Sequence, residues 1–285
     1  MTRDLIVGID GSDVAQDALR WTLRNTPDPA ATVVAMAVWR VPLAMRLLMA
    51  KRSFDVDRLG LAAEAHHTLD VALAATADED GVGAVEPLVV EGSAGAELLT
   101  RAHDADLLVL GRQGDSDLQH RLLGSVSRHC ATRAPVPTVV VPPGFDRPRA
   151  TSVIVGFDGS DNASAALRWA LDFFDDSVAI ELVAAVDLSP WLDVESTIER
   201  FPEQVETERQ RLLTAAGRVD PDGRAVRTVV LHGPKQALAE ACAEADVVVL
   251  GARGHGALGA ALLGSVATWM LEQSPCPVAI VPADD

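Results

Sequence analysis

The sequence predicts an α/β protein built from two tandem domains, each a five-stranded parallel sheet with helices on both faces. Three observations predict it. LIVGIDGSDVAQDALRW, from Leu5 to Trp21, recurs as VIVGFDGSDNASAALRW, from Val153 to Trp169. A glycine-rich stretch, GRQGDSDLQHRLLGS from Gly111 to Ser125, recurs as GARGHGALGAALLGS from Gly251 to Ser265. Short, almost unbroken apolar runs alternate with stretches of helical spacing, the pattern of parallel strands buried on both faces. The closing segments also match, APVPTVVVPPG from Ala134 and SPCPVAIVPAD from Ser274. The unit is therefore a duplicated domain, placed at residues 1–143 and 151–285 with a linker at 144–150, where Pro142, Pro143, Gly144 and Pro148 punctuate the chain.

In the first repeat, Leu5–Ile9 reads as a buried strand. Asp10, Gly11 and Ser12 make the turn, and Ser12 is a candidate N-cap for a helix carrying Ala15, Ala18, Leu19 and Leu23 on one face. Pro27 and Pro29 stop it. Thr32–Trp39 is the second strand. Val41–Phe54 shows no period and is expected to be a mobile excursion, followed by a long alanine-rich helix over Asp57–Ala77. Val85–Val90 is the third strand and Ala94–His103 the third helix. Asp106–Leu110 is the fourth strand, running into the glycine loop; helix Leu122–Arg133 and strand Val136–Val141 complete the domain. The second repeat predicts strands at Val153–Phe157, Val178–Val186, Ala225–Leu231, Val247–Leu250 and Val278–Val281. Its helices fall at Ala163–Phe174, Glu195–Ala216, Gln236–Glu244 and Leu262–Glu272.

In such a sheet a ligand binds beyond the carboxyl ends of the strands, where the strand order reverses. If the first and fourth strands flank that point, each repeat has one crevice. Asp10 or Asp158 stands on one wall and the glycine loop on the other. The loop's backbone N–H groups can converge on a phosphate. The carboxylate can accept hydrogen bonds from ribose hydroxyls or an adenine amino group, or can simply close an Asp-Gly turn. Arg253 and His255 in the second loop are candidates to bring positive charge to the phosphates, or are solvated surface groups. The first loop instead carries Asp115 and Asp117. An aspartate ~4 Å from a phosphate charge costs about 4 kcal/mol at an effective dielectric of 20. A weaker first site is expected, with Arg112 a candidate to offset the acids.

Composition narrows the function. A net charge of −17 argues against sequence-independent binding of nucleic acid, which needs phosphate neutralisation by Lys and Arg, and against an anionic membrane surface. No apolar run reaches the ~20 residues of a membrane span. Three scattered cysteines, Cys130, Cys242 and Cys276, suggest reduced, buried thiols and a cytoplasmic setting. No G-x-x-x-x-G-K-[ST] P-loop and no G-x-G-x-x-G after the first strand occurs. His66 and His67 are adjacent on a helix and are expected at the surface.

The V-G-[IF]-D-G-S-D segment, the G-x-x-G-x-nine-G-S loop and the terminal P-V-x-x-V-P strand together resemble the universal stress protein family, in particular its tandem-domain actinobacterial members. The resemblance spans nearly the whole chain. It implies Rossmann-like or flavodoxin-like domains that bind ATP, with Mg²⁺ accompanying the triphosphate. It assigns nucleoside contact to Asp10 and Asp158, and the adenine slot to Val38 and Val186. Phosphate contact falls to Gly111, Gly114, Gly124, Ser125 and Val126, and to Gly251, Gly254, Gly264, Ser265 and Val266. It also implies an intrachain pseudo-dimer through the fifth strands, with homodimerisation open. The function expected is nucleotide-dependent regulation in a stress response. A slow ATPase or self-phosphorylating enzyme, and a scaffold that binds no nucleotide, are the alternatives.

Overall fold

The structure is a computed structural model that describes residues 4–41, 58–79, 84–113, 123–185, 202–230, 233–254 and 262–283. The expected excursion Val41–Phe54 lies outside these residues from position 42 onward, as do Gly114, Asp115, Asp117, Val186, His255 and Ala257.

The first repeat runs β1 (Asp4–Ile9), α1 (Asp13–Asn25), β2 (Thr32–Trp39), α2 (Arg58–Ala74), β3 (Ala84–Glu91), α3 (Ala94–Ala102), β4 (Leu107–Gly111), α4 (Ser125–Arg133) and β5 (Thr138–Val141). The second runs β6 (Ser152–Phe157), α5 (Asp161–Phe173), β7 (Ala179–Ala185), α6 (Pro202–Val219), β8 (Val226–Val230), α7 (Pro234–Ala241), β9 (Val247–Gly251), α8 (Ser265–Gln273) and β10 (Val278–Val281).

All ten strands join one sheet in the order β3-β2-β1-β4-β5-β10-β9-β6-β7-β8. Each repeat contributes five parallel strands whose order reverses between β1 and β4, and again between β6 and β9. Alternation along β1 sends Leu5, Val7 and Ile9 to the face covered by α1 and α2. Ile6 goes to the opposite face, with Leu98 of α3 and Cys130 of α4. The repeats meet where β5 and β10 pair antiparallel, Val139 opposite Ala279. Both strands are buried along their whole length. The pseudo-dimer expected through the fifth strands is thus one continuous sheet. Trp21 of α1 stacks on Phe173 of α5 across this junction, ring centroids 6.5 Å apart.

The linker is docked rather than free. Phe145 and Ala150 are buried, Gly144 N–H donates to Asp17 Oδ2 at 3.0 Å, and Ala150 N–H donates to Asn25 Oδ1 at 2.8 Å. Burial raises the Asp17 carboxyl above its usual range, against the opposing Gly144 hydrogen bond. Arg147 reaches Asp246, which lies just before β9, at 3.2 Å.

Several boundaries differ from those the sequence predicts. α4 and α8 begin at Ser125 and Ser265, not at Leu122 and Leu262, because Gly124 and Gly264 hold the extended N-cap conformation. Apolar leucines continue the helical period into the preceding loop without being helical. β5 starts at Thr138 rather than Val136: Pro137 lacks an N–H and joins the pairing with β4 only through its carbonyl, which accepts from Leu108 N–H at 3.0 Å. α7 begins at Pro234, a residue suited to a first turn. α2 ends at Ala74, three residues early.

Candidate functional site

Each strand-end turn is built by its own sequence. Ser12 N–H and Ser12 Oγ both donate to Asp10 Oδ1, at 3.0 and 2.6 Å, while Ser12 Oγ accepts from Ala15 N–H and caps α1. Gly11 between them has φ of 89°, a left-handed conformation that a side chain disfavours. The second copy repeats this: Ser160 N–H donates to Asp158 Oδ1 at 2.9 Å, Ser160 caps α5, and Gly159 has φ of 79°. One oxygen of each carboxylate therefore closes a turn, as one sequence alternative held. In the second repeat the other oxygen faces the glycine loop. A Cβ on Gly254 would collide with Asp158 Oδ2.

The glycine loops are pinched at the neck by backbone bonds. Arg112 N–H donates to Val141 C=O at 2.7 Å, and Gly124 N–H donates to Arg112 C=O at 2.8 Å. In the second repeat Ala252 N–H donates to Val281 C=O at 2.8 Å and Gly264 N–H to Ala252 C=O at 2.9 Å. The loop thus leaves and returns at one point, delivering the chain directly into α4 or α8. Those helices differ from α1 and α5 in their caps. Gly124 and Gly264 offer no side-chain acceptor. Among the described residues no side chain caps the first turns of α4 and α8, where N–H groups and the positive end of each helix dipole favour an anion. Ser125 and Ser265 are exposed at these ends.

The site residues assigned from sequence divide by role. Gly111 and Gly251 are required by packing: a Cβ on Gly251 would lie 2.6 Å from the Asn162 carbonyl carbon, and one on Gly111 2.8 Å from Val14 Cγ1. Gly124, Ser125, Gly254, Gly264 and Ser265 lie where the chain passes from the carboxyl ends of β4 and β9 into α4 and α8. Val38 and Val126 pack against the same apolar cluster, under the carboxyl end of β2; Val266 packs similarly in the second repeat. Arg253 sits partly buried at the neck of the second loop.

Two arginines make the repeats unequal. Arg112 does not turn into its own loop to offset the acids there, as the sequence suggested. Its Nη1 donates to the carbonyls of Ser274, at 2.8 Å, and Glu272, at 3.4 Å, at the end of α8 in the other repeat. Burial there lowers its pKa. Sequence reasoning missed this contact, whose one signal is that the matching residue is Ala252. Arg211 of α6, also missed, donates to the Asp158 carbonyl at 3.1 Å and pairs with Glu208 at 2.6 Å. That hydrogen bond to Glu208 raises the Arg211 pKa. Beside the first turn, Thr68 of α2 stands next to Gly11. Among the described residues, the second acidic turn has Arg211 beside it and the first has Thr68.

This architecture, a reversal of strand order beside an acidic turn and a glycine-capped helix, built twice, defines a tandem doubly wound α/β protein. Comparison with known proteins narrows the class. Residues 1–142 and 150–282 each match the universal stress protein family, and the chain belongs to it. It is 30% identical to the universal stress protein Rv2623 of Mycobacterium tuberculosis, over 97% of this chain and 95% of the relative. It is 29% identical to the universal stress protein Mb2019 of Mycobacterium bovis, over 98% and 96%. The crystal structure of a universal stress protein from Archaeoglobus fulgidus superposes with a TM-score of 0.64 at 18% identity, covering 99% of this chain and 98% of that one. No helix among the described residues is long and apolar enough to cross a membrane.

Proposed function

We propose that the chain is a cytoplasmic ATP-binding regulatory protein of the stress response, in which nucleotide occupancy sets its conformation or choice of partner. The observation that carries this is the second crevice. Asp158 Oδ2 faces Gly254 across the point of strand reversal, and the glycine-capped N-terminus of α8 opens onto the same space. The glycine loop and α8 supply backbone donors for phosphates, Asp158 supplies an acceptor for the nucleoside, and Arg211 and Arg253 supply positive charge. The three free cysteines are buried, in keeping with a reducing compartment.

The residues fit a nucleotide by chemistry. Donors cluster at the helix end where phosphate charge belongs, and in the first repeat Val38 and Val126 share one apolar cluster, the surface on which this proposal rests a base. Among the described residues no group of three or more His, Cys, Asp or Glu could hold a metal. In this proposal Mg²⁺ accompanies the phosphates, as the family resemblance implies. Asp158 Oδ1 already accepts from Ser160 N–H, so this carboxylate is arranged to hold and orient. The second site binds more tightly in this proposal, because Arg112 is spent on the neighbouring repeat and the first loop carries Asp115 and Asp117.

The test is to denature the freshly purified full chain, separate the supernatant by anion exchange with mass detection, and count nucleotides. One ATP per chain is expected, lost in Gly264→Glu and kept in Gly124→Glu. Ligand at 100 times its dissociation constant adds about 2.7 kcal/mol of stability, so Mg-ATP should also raise the melting temperature. No nucleotide and no thermal shift would overturn the proposal. Two ATP per chain would overturn the inequality of the sites.

A further inference from the structure

Position 252, the equivalent of Arg112 in the second repeat, is an alanine and makes no such contact in the other direction. The Arg112 backbone is clamped on both sides, N–H to Val141 and C=O to Gly124, so its position follows the neck of the first glycine loop. Its guanidinium grips Glu272 and Ser274 carbonyls, where α8 runs out of intrahelical donors. A cation there also complements the helix dipole. Arg128 of α4 adds a second tie, Nη2 to Glu272 Oε1 at 2.9 Å. At the same point in the second repeat stands Ala252, whose methyl group cannot reach α4.

We propose that Arg112 is a positioning residue that couples the two crevices: displacement at the neck of the first loop is passed to α8, whose other end forms the anion seat of the second site. α8 is a rod of nine residues, about 13 Å long, so a shift of its end carbonyls moves its first turn with it. By linkage the coupling is reciprocal in free energy although the contact is one-sided. The identity of the ligand rests on the nucleotide proposal above; the mechanical link does not.

The glycines at the two necks provide the perturbation. A Cβ on Gly124 would lie 3.2 Å from the Arg112 carbonyl oxygen and press on it. A Cβ on Gly264 meets nothing nearer than 3.6 Å. Amide hydrogen exchange is measured on the ligand-free full chain for the wild type, Gly124→Ala, Arg112→Ala, the double variant and Gly264→Ala. Gly124→Ala should speed exchange in α8 by about fivefold or more, the lower end of ordinary coupling between sites. In the Arg112→Ala background the same substitution should lose most of its effect on α8, since the remaining Arg128–Glu272 pair is solvent-exposed and weak. Gly264→Ala should leave α4 unchanged. An α8 response to Gly124→Ala that is absent, or that survives removal of Arg112 undiminished, overturns the proposal. A general loss of packing would move α8 in both backgrounds. Titration with Mg-ATP is the second readout: Gly124→Ala should shift the second-site dissociation constant by a similar factor only when Arg112 is present. Should no variant bind ATP while the exchange pattern holds, the nucleotide proposal fails and the coupling stands. An unaltered second-site constant in a protein that does bind ATP overturns the coupling.

Discussion

Replacing Gly251 by alanine separates a packing role for the loop's first glycine from a ligand role. The added Cβ would lie 2.6 Å from the carbonyl carbon of Asn162, 2.7 Å from its Cβ and 2.8 Å from its carbonyl oxygen. Two of those three atoms are backbone of α5, and the Ser160 cap fixes that turn. No rotamer change relieves the clash; α5 must lift from β9. Overpacking costs about 1–3 kcal/mol, and a clash with capped backbone belongs in the upper half, about 2–3 kcal/mol. At about 2–4 °C per kcal/mol for a folding unit of this size, the melting temperature should fall by roughly 4–12 °C. The assay is a thermal melt with a paired urea titration, without nucleotide, and with Gly264→Ala as control. That control adds a methyl with no neighbour closer than 3.6 Å and should cost no more than about 1 kcal/mol as a changed N-cap. If Gly251→Ala melts with the wild type or with the control, β9 and α5 do not approach as described and the packing argument fails.

Two further outcomes follow from burial and hydrogen bonding. Burial pushes the thiols of Cys130 and Cys276 up to about 12 and about 11, and that of Cys242 above its usual value. A thiol-disulfide reagent at pH 8 should therefore label none of the three within minutes in the native protein and all three after denaturation; rapid native labelling would contradict their placement. Burial acts to raise the Asp246 carboxyl, but donation from Thr151, Ser152 and Arg147 outweighs it and the net pKa is lowered. A carboxyl depressed in the folded state adds stability above its unfolded pKa of about 3.9 and loses it as pH falls through the folded value. Asp246→Asn should thus be less stable than wild type at pH 7, with the gap in urea midpoints closing below about pH 4. A gap that stays constant down to pH 2 would show that charge plays no part.

Much of the fold was legible because each signal for it is local. Thr32–Trp39 and Val278–Val281 coincide with the observed strands, since apolar runs flanked by turn residues have one stable use in a sheet covered on both faces. The repeat located β5 and β10 as equivalents, and the acidic turns formed where Asp-Gly-Ser placed them. What stayed hidden depends on contacts between distant residues. Arg112 looks like a loop cation in sequence; only the antiparallel meeting of β5 and β10 brings the end of α8 within its reach. Arg211 occupies a helix whose register against the Asp158 turn no periodicity reveals. Gly111 and Gly251 were assigned to phosphate by motif, whereas the approach of α1 and α5 already requires glycine there. The starts of α4 and α8 were misplaced because hydrophobic spacing continues through Leu123 and Leu263, past the glycine where backbone geometry changes.

The antiparallel seam has a consequence for how the two copies can change. Were each repeat a separate chain meeting a twin through this strand, every substitution at the junction would occur twice, and both edges would have to tolerate it. An arginine at position 112 would face an arginine at its mirror position, each competing for the opposite helix end. Fusion in one polypeptide lifts that constraint. The partner is always present at a fixed stoichiometry, and one side can keep a long cationic arm while the other keeps a methyl group. The chain thus has the free choice of a heterodimer with the assembly certainty of a single gene product. Arg112 and Ala252, equivalent by ancestry and opposite in reach, show that latitude in use.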